Sequence, residues 1–149
     1  MRLTHYTDYS LRVLIYLAYK KGEIATVSEI ADFHKISRNH LVKVVHNLGL
    51  NGYLITARGK GGGIRLARAP EDIHIGEVLR NIEPDFHLLE CFDTEQDQCV
   101  ITRVCNLKPV LFDARNAFFE TLDKYTLADT IKPSTQSSPM FKSIPVVHA

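Results

Sequence analysis

Between Thr26 and Leu48 the sequence leaves little choice of fold. Thr26 and Glu29 have the spacing of a capping box, in which a hydroxyl and a carboxylate satisfy free N–H groups at a helix start. Ser37 marks a second start a short way on, so a short helix bearing Ile30, Ala31 and Phe33 is followed by a turn of only two or three residues. Two helices joined so closely make a helix-turn-helix. In the second of them Leu41, Val44, Val45 and Leu48 form one apolar stripe, leaving Arg38, Asn39, His40 and Lys43 on or near the other face, mostly in its first turns. Recognition helices keep their base-reading side chains there.

The flanking sequence completes the unit. Tyr9 to Lys20, with Leu11, Leu14, Ile15 and Ala18 apolar and Thr7 or Asp8 placed to cap it, predicts an amphipathic helix that ends before Gly22. After Gly52 the helical period stops. Tyr53 to Thr56 and Ile64 to Ala67 read as two short strands around a loop holding four of the eight glycines together with Arg58 and Lys60. A helix-turn-helix followed by such a hairpin is a winged helix, and a glycine-rich basic tip suits close approach to phosphate or a minor groove. The fold class expected is mainly α with a small β-hairpin.

Charge supports the same reading. The formal net charge is only +1, but residues 1–69 carry eleven Lys and Arg against four Asp and Glu, whereas residues 70–149 carry seven against thirteen. A basic half fused to an acidic one points to a polyanion-binding domain, 1–69, joined to a part with another task. Arg38, Asn39 and Lys43, with Arg58 and Lys60 in the wing, supply base-edge and phosphate contacts. The competing reading is a solvated basic face, and His40 divides evenly between a contact and a surface residue.

The second half reads as a connecting helix over 70–83 with Ile75, Val78, Leu79 and Ile82 on one side, then an irregular acidic stretch. Leu107, Leu111, Ala114, Phe118, Leu122 and Tyr125 then recur at helical spacing, describing a long helix whose stripe a second copy of the chain would cover. Residues 132–149, with three prolines among serines, read as a disordered tail. The longest apolar run, Val13 to Tyr19, is too short to span a membrane, and no signal peptide is visible, so a cytoplasmic location is expected.

All three cysteines, Cys91, Cys99 and Cys105, fall in the acidic stretch, which points to metal or redox chemistry rather than a disulfide framework. An all-cysteine iron–sulfur site needs a fourth ligand from elsewhere. His87 would complete a three-cysteine, one-histidine zinc set, although zinc pairs usually lie closer in sequence. A thiol redox enzyme is disfavoured because no close cysteine pair or activating base stands nearby. Asp85, Glu90, Asp93, Glu95 and Asp97 supply solvation around the loop and would disfavour adding electrons to a bound cluster. Asp8, taken alone, is a helix cap with Arg12 as its ion-pair partner. Tyr9 and Tyr16 read as packing residues.

Four segments together resemble a known family: Leu3-Thr4-His5-Tyr6-Thr7-Asp8-Tyr9, Ser37-Arg38-Asn39-His40-Leu41-Val42-Lys43, Arg58-Gly59-Lys60-Gly61-Gly62-Gly63-Ile64-Arg65-Leu66 and Asp123-Lys124-Tyr125-Thr126-Leu127-Ala128-Asp129. They are similar to the nitric-oxide-sensing repressors of the NsrR type, within the winged-helix family that also includes the cluster-assembly regulator IscR. The match runs from Met1 to about Ile131. It implies a homodimer paired through the helix from about Leu107 to Tyr125, binding a palindromic double-stranded operator through Ser37, Arg38, Asn39, His40, Lys43, Arg58 and Lys60. It also implies an iron–sulfur cluster on Cys91, Cys99 and Cys105, with a carboxylate at the position of Asp8 supplied by the partner subunit. Lys108 stands where IscR-like proteins carry a ligand histidine, which favours a 4Fe-4S over a 2Fe-2S cluster. The seven-residue gap between Cys91 and Cys99 is longer than the family pattern. Nitric oxide is the expected signal, nitric oxide defence genes are the expected targets, and residues 70–131 are the sensing and dimerising part.

Overall fold

The first helix begins earlier than its apolar period suggests. In a computed structural model, which describes residues 2–57, 59, 61–132 and 144, α1 spans His5–Tyr19 and its cap is Thr4, whose hydroxyl accepts from the Thr7 N–H. Neither Thr7 nor Asp8 caps it. Thr7 is buried instead, and Asp8 lies within the first turn, paired with Arg12 as the one-turn spacing predicts.

The helix-turn-helix follows its local signals. The α2 helix (Val27–His34) carries both halves of the Thr26–Glu29 capping box and ends at Lys35, which adopts a left-handed conformation with φ 55°. After the turn, α3 (Arg38–Leu50) starts at Ser37, but the Ser37 hydroxyl makes no capping bond. Its carbonyl oxygen instead accepts from the N–H groups of His40 and Leu41, each at 3.1 Å. Leu41, Val44, Val45 and Leu48 are all buried, in one core with Val13, Leu14, Leu17 and Ile30. Each such side chain contributes about 1.5–3 kcal/mol, so this stripe fixes how α3 lies across α1 and α2.

The wing consists of β1 (Leu54–Ala57) and β2 (Gly63–Leu66), antiparallel with Leu54 opposite Leu66 and Ala57 opposite Gly63. Both strands differ by one residue from the sequence reading. The N–H of Tyr53 closes the end of α3 by donating to the Leu48 carbonyl at 2.9 Å, while its carbonyl accepts from Ala67 N–H at 2.9 Å, so Tyr53 borders the ladder that runs from Leu54. Ala25 adds an isolated bridge to Ile64, with paired hydrogen bonds of 2.9 and 2.8 Å. This contact demands Gly63: a Cβ there would stand 2.4 Å from Ile24 Cγ2 and 2.5 Å from the Ala25 carbonyl oxygen.

The expected helix over 70–83 divides in two. A 3-10 turn occupies Pro70–Asp72, and α4 spans Ile75–Ile82. Between them the chain is extended, because Ile75 N–H donates to Tyr125 O and Leu127 N–H to Ile73 O, at 3.0 and 2.8 Å. Backbone groups committed to a distant segment are not free to close a helix.

The long helix, α5, runs Leu107–Leu122 and stops short of Tyr125. Asp123, just beyond it, receives a bidentate pair from Arg80 of α4 at 2.6 and 2.7 Å. A short α6 (Leu127–Thr130) follows, opened by a Thr126–Asp129 capping box. No residue of α5 is fully buried. Of the expected tail only Lys132 and Ile144 are among the described residues, and Ile144 is 4% exposed, within the core.

Candidate DNA interface and cysteine loop

The outer face of α3 is assembled by the packing just described. With the apolar stripe turned inward, Ser37, Arg38, Asn39, His40 and Lys43 are all exposed on the first turns. Arg38 is braced, its Nε donating to Ser28 Oγ of α2 at 3.2 Å. His40 stacks against Tyr9 of α1, ring centroids 6.4 Å apart and planes 24° apart. Tyr6 donates its hydroxyl to the Lys43 carbonyl at 3.0 Å. The start of α1 thus buttresses the start of α3.

Val42 is exposed between these polar residues, one turn after Arg38. Val42 is not among the contacts expected above, although its i,i+4 spacing from Arg38 puts it on the same face; an apolar group on such a helix suits a thymine methyl. Arg58 and Lys60 lie outside the described residues. Between them Gly59 adopts φ 96°, with Gly61 at φ 81°, and the Gly62 N–H donates to the Gly59 carbonyl at 2.9 Å. A side chain is strained at these angles, so the tip needs its glycines.

The wing is tied to the second half through one polar cluster. Tyr53, fully buried, donates its hydroxyl to Glu77 Oε1 at 3.2 Å and accepts from Asn81 Nδ2 at 2.7 Å, both on α4. Arg68 reaches the same Glu77 oxygen at 3.0 Å and lies over the Tyr53 ring. Burial, chiefly, pushes the Tyr53 phenol above its ordinary pKa, which keeps it a neutral donor.

Beyond α4 the cysteines lie in an irregular loop with 3-10 turns at Glu90–Phe92 and Thr102–Val104. All three are free thiols; Cys91 is buried, and Cys99 and Cys105 are half-buried. Asp97 does more than solvate the loop: its Oδ1 accepts from the Cys99 N–H at 3.1 Å and the Thr102 hydroxyl at 2.9 Å. The spacing Asp97-x-Cys99, that of an Asx turn, was the signal in the sequence. His87 lies 3.9 Å from carboxylate oxygens of Asp85 and Asp93. Among the described residues, no three His, Cys, Asp or Glu side chains of one chain converge to hold a metal ion. Cys91, Cys99 and Cys105 are therefore not brought onto one centre here; it is the chemistry of the donor set, three free thiols on one loop, that fits an iron–sulfur group whose last ligand comes from elsewhere. Asp8 is half-buried with both carboxylate oxygens held by Arg12, at 2.9 and 2.8 Å, a pair that such a contact would have to displace.

A winged helix with an exposed polar recognition helix, built on a basic half-chain, defines a DNA-binding transcription regulator. The chain belongs to the Rrf2 family, described as iron-dependent transcriptional regulators, whose model matches residues 3–133. It is 56% identical over 133 residues to the transcriptional regulator NsrR of Bacillus subtilis, covering 89% of this chain and 91% of that one. It is 44% identical to NsrR of Halalkalibacterium halodurans, covering 97% and 100%. Among solved structures, IscR of T. potens superposes with a TM-score of 0.68 at 26% identity, covering 89% and 87%. As a member of a family of regulators it is not an enzyme, so the thiol-enzyme alternative falls away. No described helix is long and apolar enough to cross a membrane.

Proposed function

We propose that the protein is a homodimeric, iron–sulfur-dependent repressor of a palindromic operator, released by nitric oxide to express nitric oxide defence genes. The observation that carries this reading is the set of three free thiols on a single loop in a chain of this family. Cys91, Cys99 and Cys105 would hold a 4Fe-4S cluster together with Asp8 of the partner subunit. When bound, the cluster supplies iron that reacts with nitric oxide.

The chain's own residues account for the rest. The cysteine loop and the start of α5 expose Val100, Ile101, Val104, Leu107, Val110 and Phe112, Val100 at 97%. An apolar surface of this extent is covered most simply by the same surface of a second copy. Within each subunit α1 carries both Asp8 and the Tyr6 and Tyr9 contacts to α3. A shift of Asp8 therefore displaces the recognition helix. Both recognition helices must enter major grooves about one helical turn apart, so a small rotation costs several phosphate contacts at once. Ser37, Arg38, Asn39, His40 and Lys43, with Arg58 and Lys60, make the operator contacts. Residues 1–69 bind DNA, residues 70–131 sense and dimerise, and the protein works in the cytoplasm.

The test is anaerobic purification followed by iron, sulfide and visible-absorption measurements during nitric oxide addition. Binding to a DNA selected from random sequence by the loaded protein is followed in parallel. A brown dimer with matched iron and sulfide that bleaches and releases DNA together supports the reading. A colourless protein that takes zinc, or no metal, from a supply of iron and sulfide overturns it.

A further inference from the structure

One carboxylate joins the start of α1 to the segment leading into the cysteine loop. Glu83 caps the C-terminal end of α4, its N–H bound to the Leu79 carbonyl at 2.9 Å, and precedes Pro84, which keeps it extended at φ −72°, ψ 132°. Its side chain receives the Thr4 N–H at 3.1 and 3.2 Å, the Thr4 hydroxyl at 3.1 Å and the Thr7 hydroxyl. These donors belong to the cap and first turn of α1, and the next residue is Asp8, whose own N–H is bound to the Thr4 carbonyl at 3.0 Å. Residues Arg2 to Thr4 and Glu83 to His87 line one groove of about 230 Å³. A negative charge at the start of a helix is further favoured by the helix dipole.

We propose that Glu83 is a positioning residue: it locks the turn that carries Asp8 to the stem of the same subunit's cysteine loop, so that a change in the loop is transmitted to α1. The proposal rests on the reading that Asp8 completes the metal site of the other subunit. Given that reading, each Glu83 also ties the two metal sites of the dimer together, because the loop of one subunit sets the Asp8 that serves the other. Glu83 itself holds no metal and touches no DNA in this assignment.

The experiment compares wild type, Glu83→Ala, Glu83→Gln and Thr7→Val as full-length protein. In the metal-free protein, amide hydrogen exchange at Thr7 and Asp8 should quicken about tenfold in Glu83→Ala and Thr7→Val, with exchange in the α3 core unchanged. After anaerobic loading, iron and sulfide per chain should stay at the wild-type level in all three variants. The ratio of loaded to metal-free operator affinity should fall about tenfold in Glu83→Ala, within the usual range of coupling between sites. Glu83→Gln keeps an acceptor for Thr4 and should restore most of that ratio. A wild-type ratio in Glu83→Ala, or unchanged exchange at Thr7 and Asp8, overturns the proposal alone. A wild type that takes no iron, or whose affinity ignores loading, overturns the sensor reading and this proposal with it.

Discussion

Replacing Gly63 by alanine should unseat the wing. A methyl group at this position stands 2.4 Å from Ile24 Cγ2 and 2.5 Å from the Ala25 carbonyl oxygen, against a normal carbon contact of about 3.5–4 Å. Ile24 can rotate, but the Ala25 oxygen is backbone, and it accepts the Ile64 N–H at 2.8 Å while Ala25 N–H donates to Ile64 at 2.9 Å. Relieving the overlap therefore means moving β2 away and losing both bonds. Overpacking of this kind costs about 1–3 kcal/mol and each buried bond about 1 kcal/mol, for a combined loss of about 3–5 kcal/mol. Thermal unfolding of the metal-free protein, followed by circular dichroism, should show Tm lowered by about 10 °C or more. DNA titrations at several salt concentrations should also show a shallower slope, by about one for each wing cation withdrawn from phosphate. Gly49→Ala is the control: a Cβ there meets nothing within 4 Å on α3, and the change should stabilise by about 0.5–1 kcal/mol. A Gly63→Ala protein that melts within about 2 °C of wild type and keeps its salt slope would refute the close-approach argument.

Three further outcomes follow. Arg38→Ala should weaken operator binding by about tenfold or more while iron content stays unchanged, read by titration and metal assay; equal affinity would remove Arg38 from the interface. Val110→Asp puts a charge on the exposed apolar surface at the start of α5 and should shift sedimentation from dimer to monomer, whereas an intact dimer would place the interface elsewhere. Hydrogen bonds from Lys132 and then Thr126 hold the Asp129 carboxyl down to about 2, below the unfolded value of about 3.9. The stability it lends is present above about pH 4 and lost as pH falls towards 2, so Asp129→Asn should flatten the acid-unfolding profile in that window. An unchanged profile would show that the α6 cap carries none of this dependence.

Much of what neighbouring residues govern was legible in the sequence, although the Thr4 cap and the Asp97-x-Cys99 turn, equally local, were not singled out. The Thr26–Glu29 box, the buried stripe of α3, the Asp8–Arg12 pair and the glycine-rich hairpin depend on spacings of a few residues, which propensity and periodicity report directly. The exposed polar face of α3 follows from the same stripe, since burying Leu41, Val44, Val45 and Leu48 leaves Arg38, His40 and Lys43 outside. The resemblance of four short segments to a known family agreed with the family match over residues 3–133.

Contacts between distant residues were decided only by the tertiary structure. Thr4, not Thr7 or Asp8, caps α1, in a turn held by Glu83, far along the chain. The helix expected over 70–83 is divided because residues 73 to 75 pair with 125 to 127, and α5 ends at Leu122 before that pairing begins. The Tyr53 hydroxyl meets Glu77 and Asn81 of α4, 24 and 28 residues further along the chain. In each case a hydrogen-bonding group found a partner that no local pattern announces, because the free energy of satisfying a buried polar group depends on what packs against it and not on what precedes it in the chain.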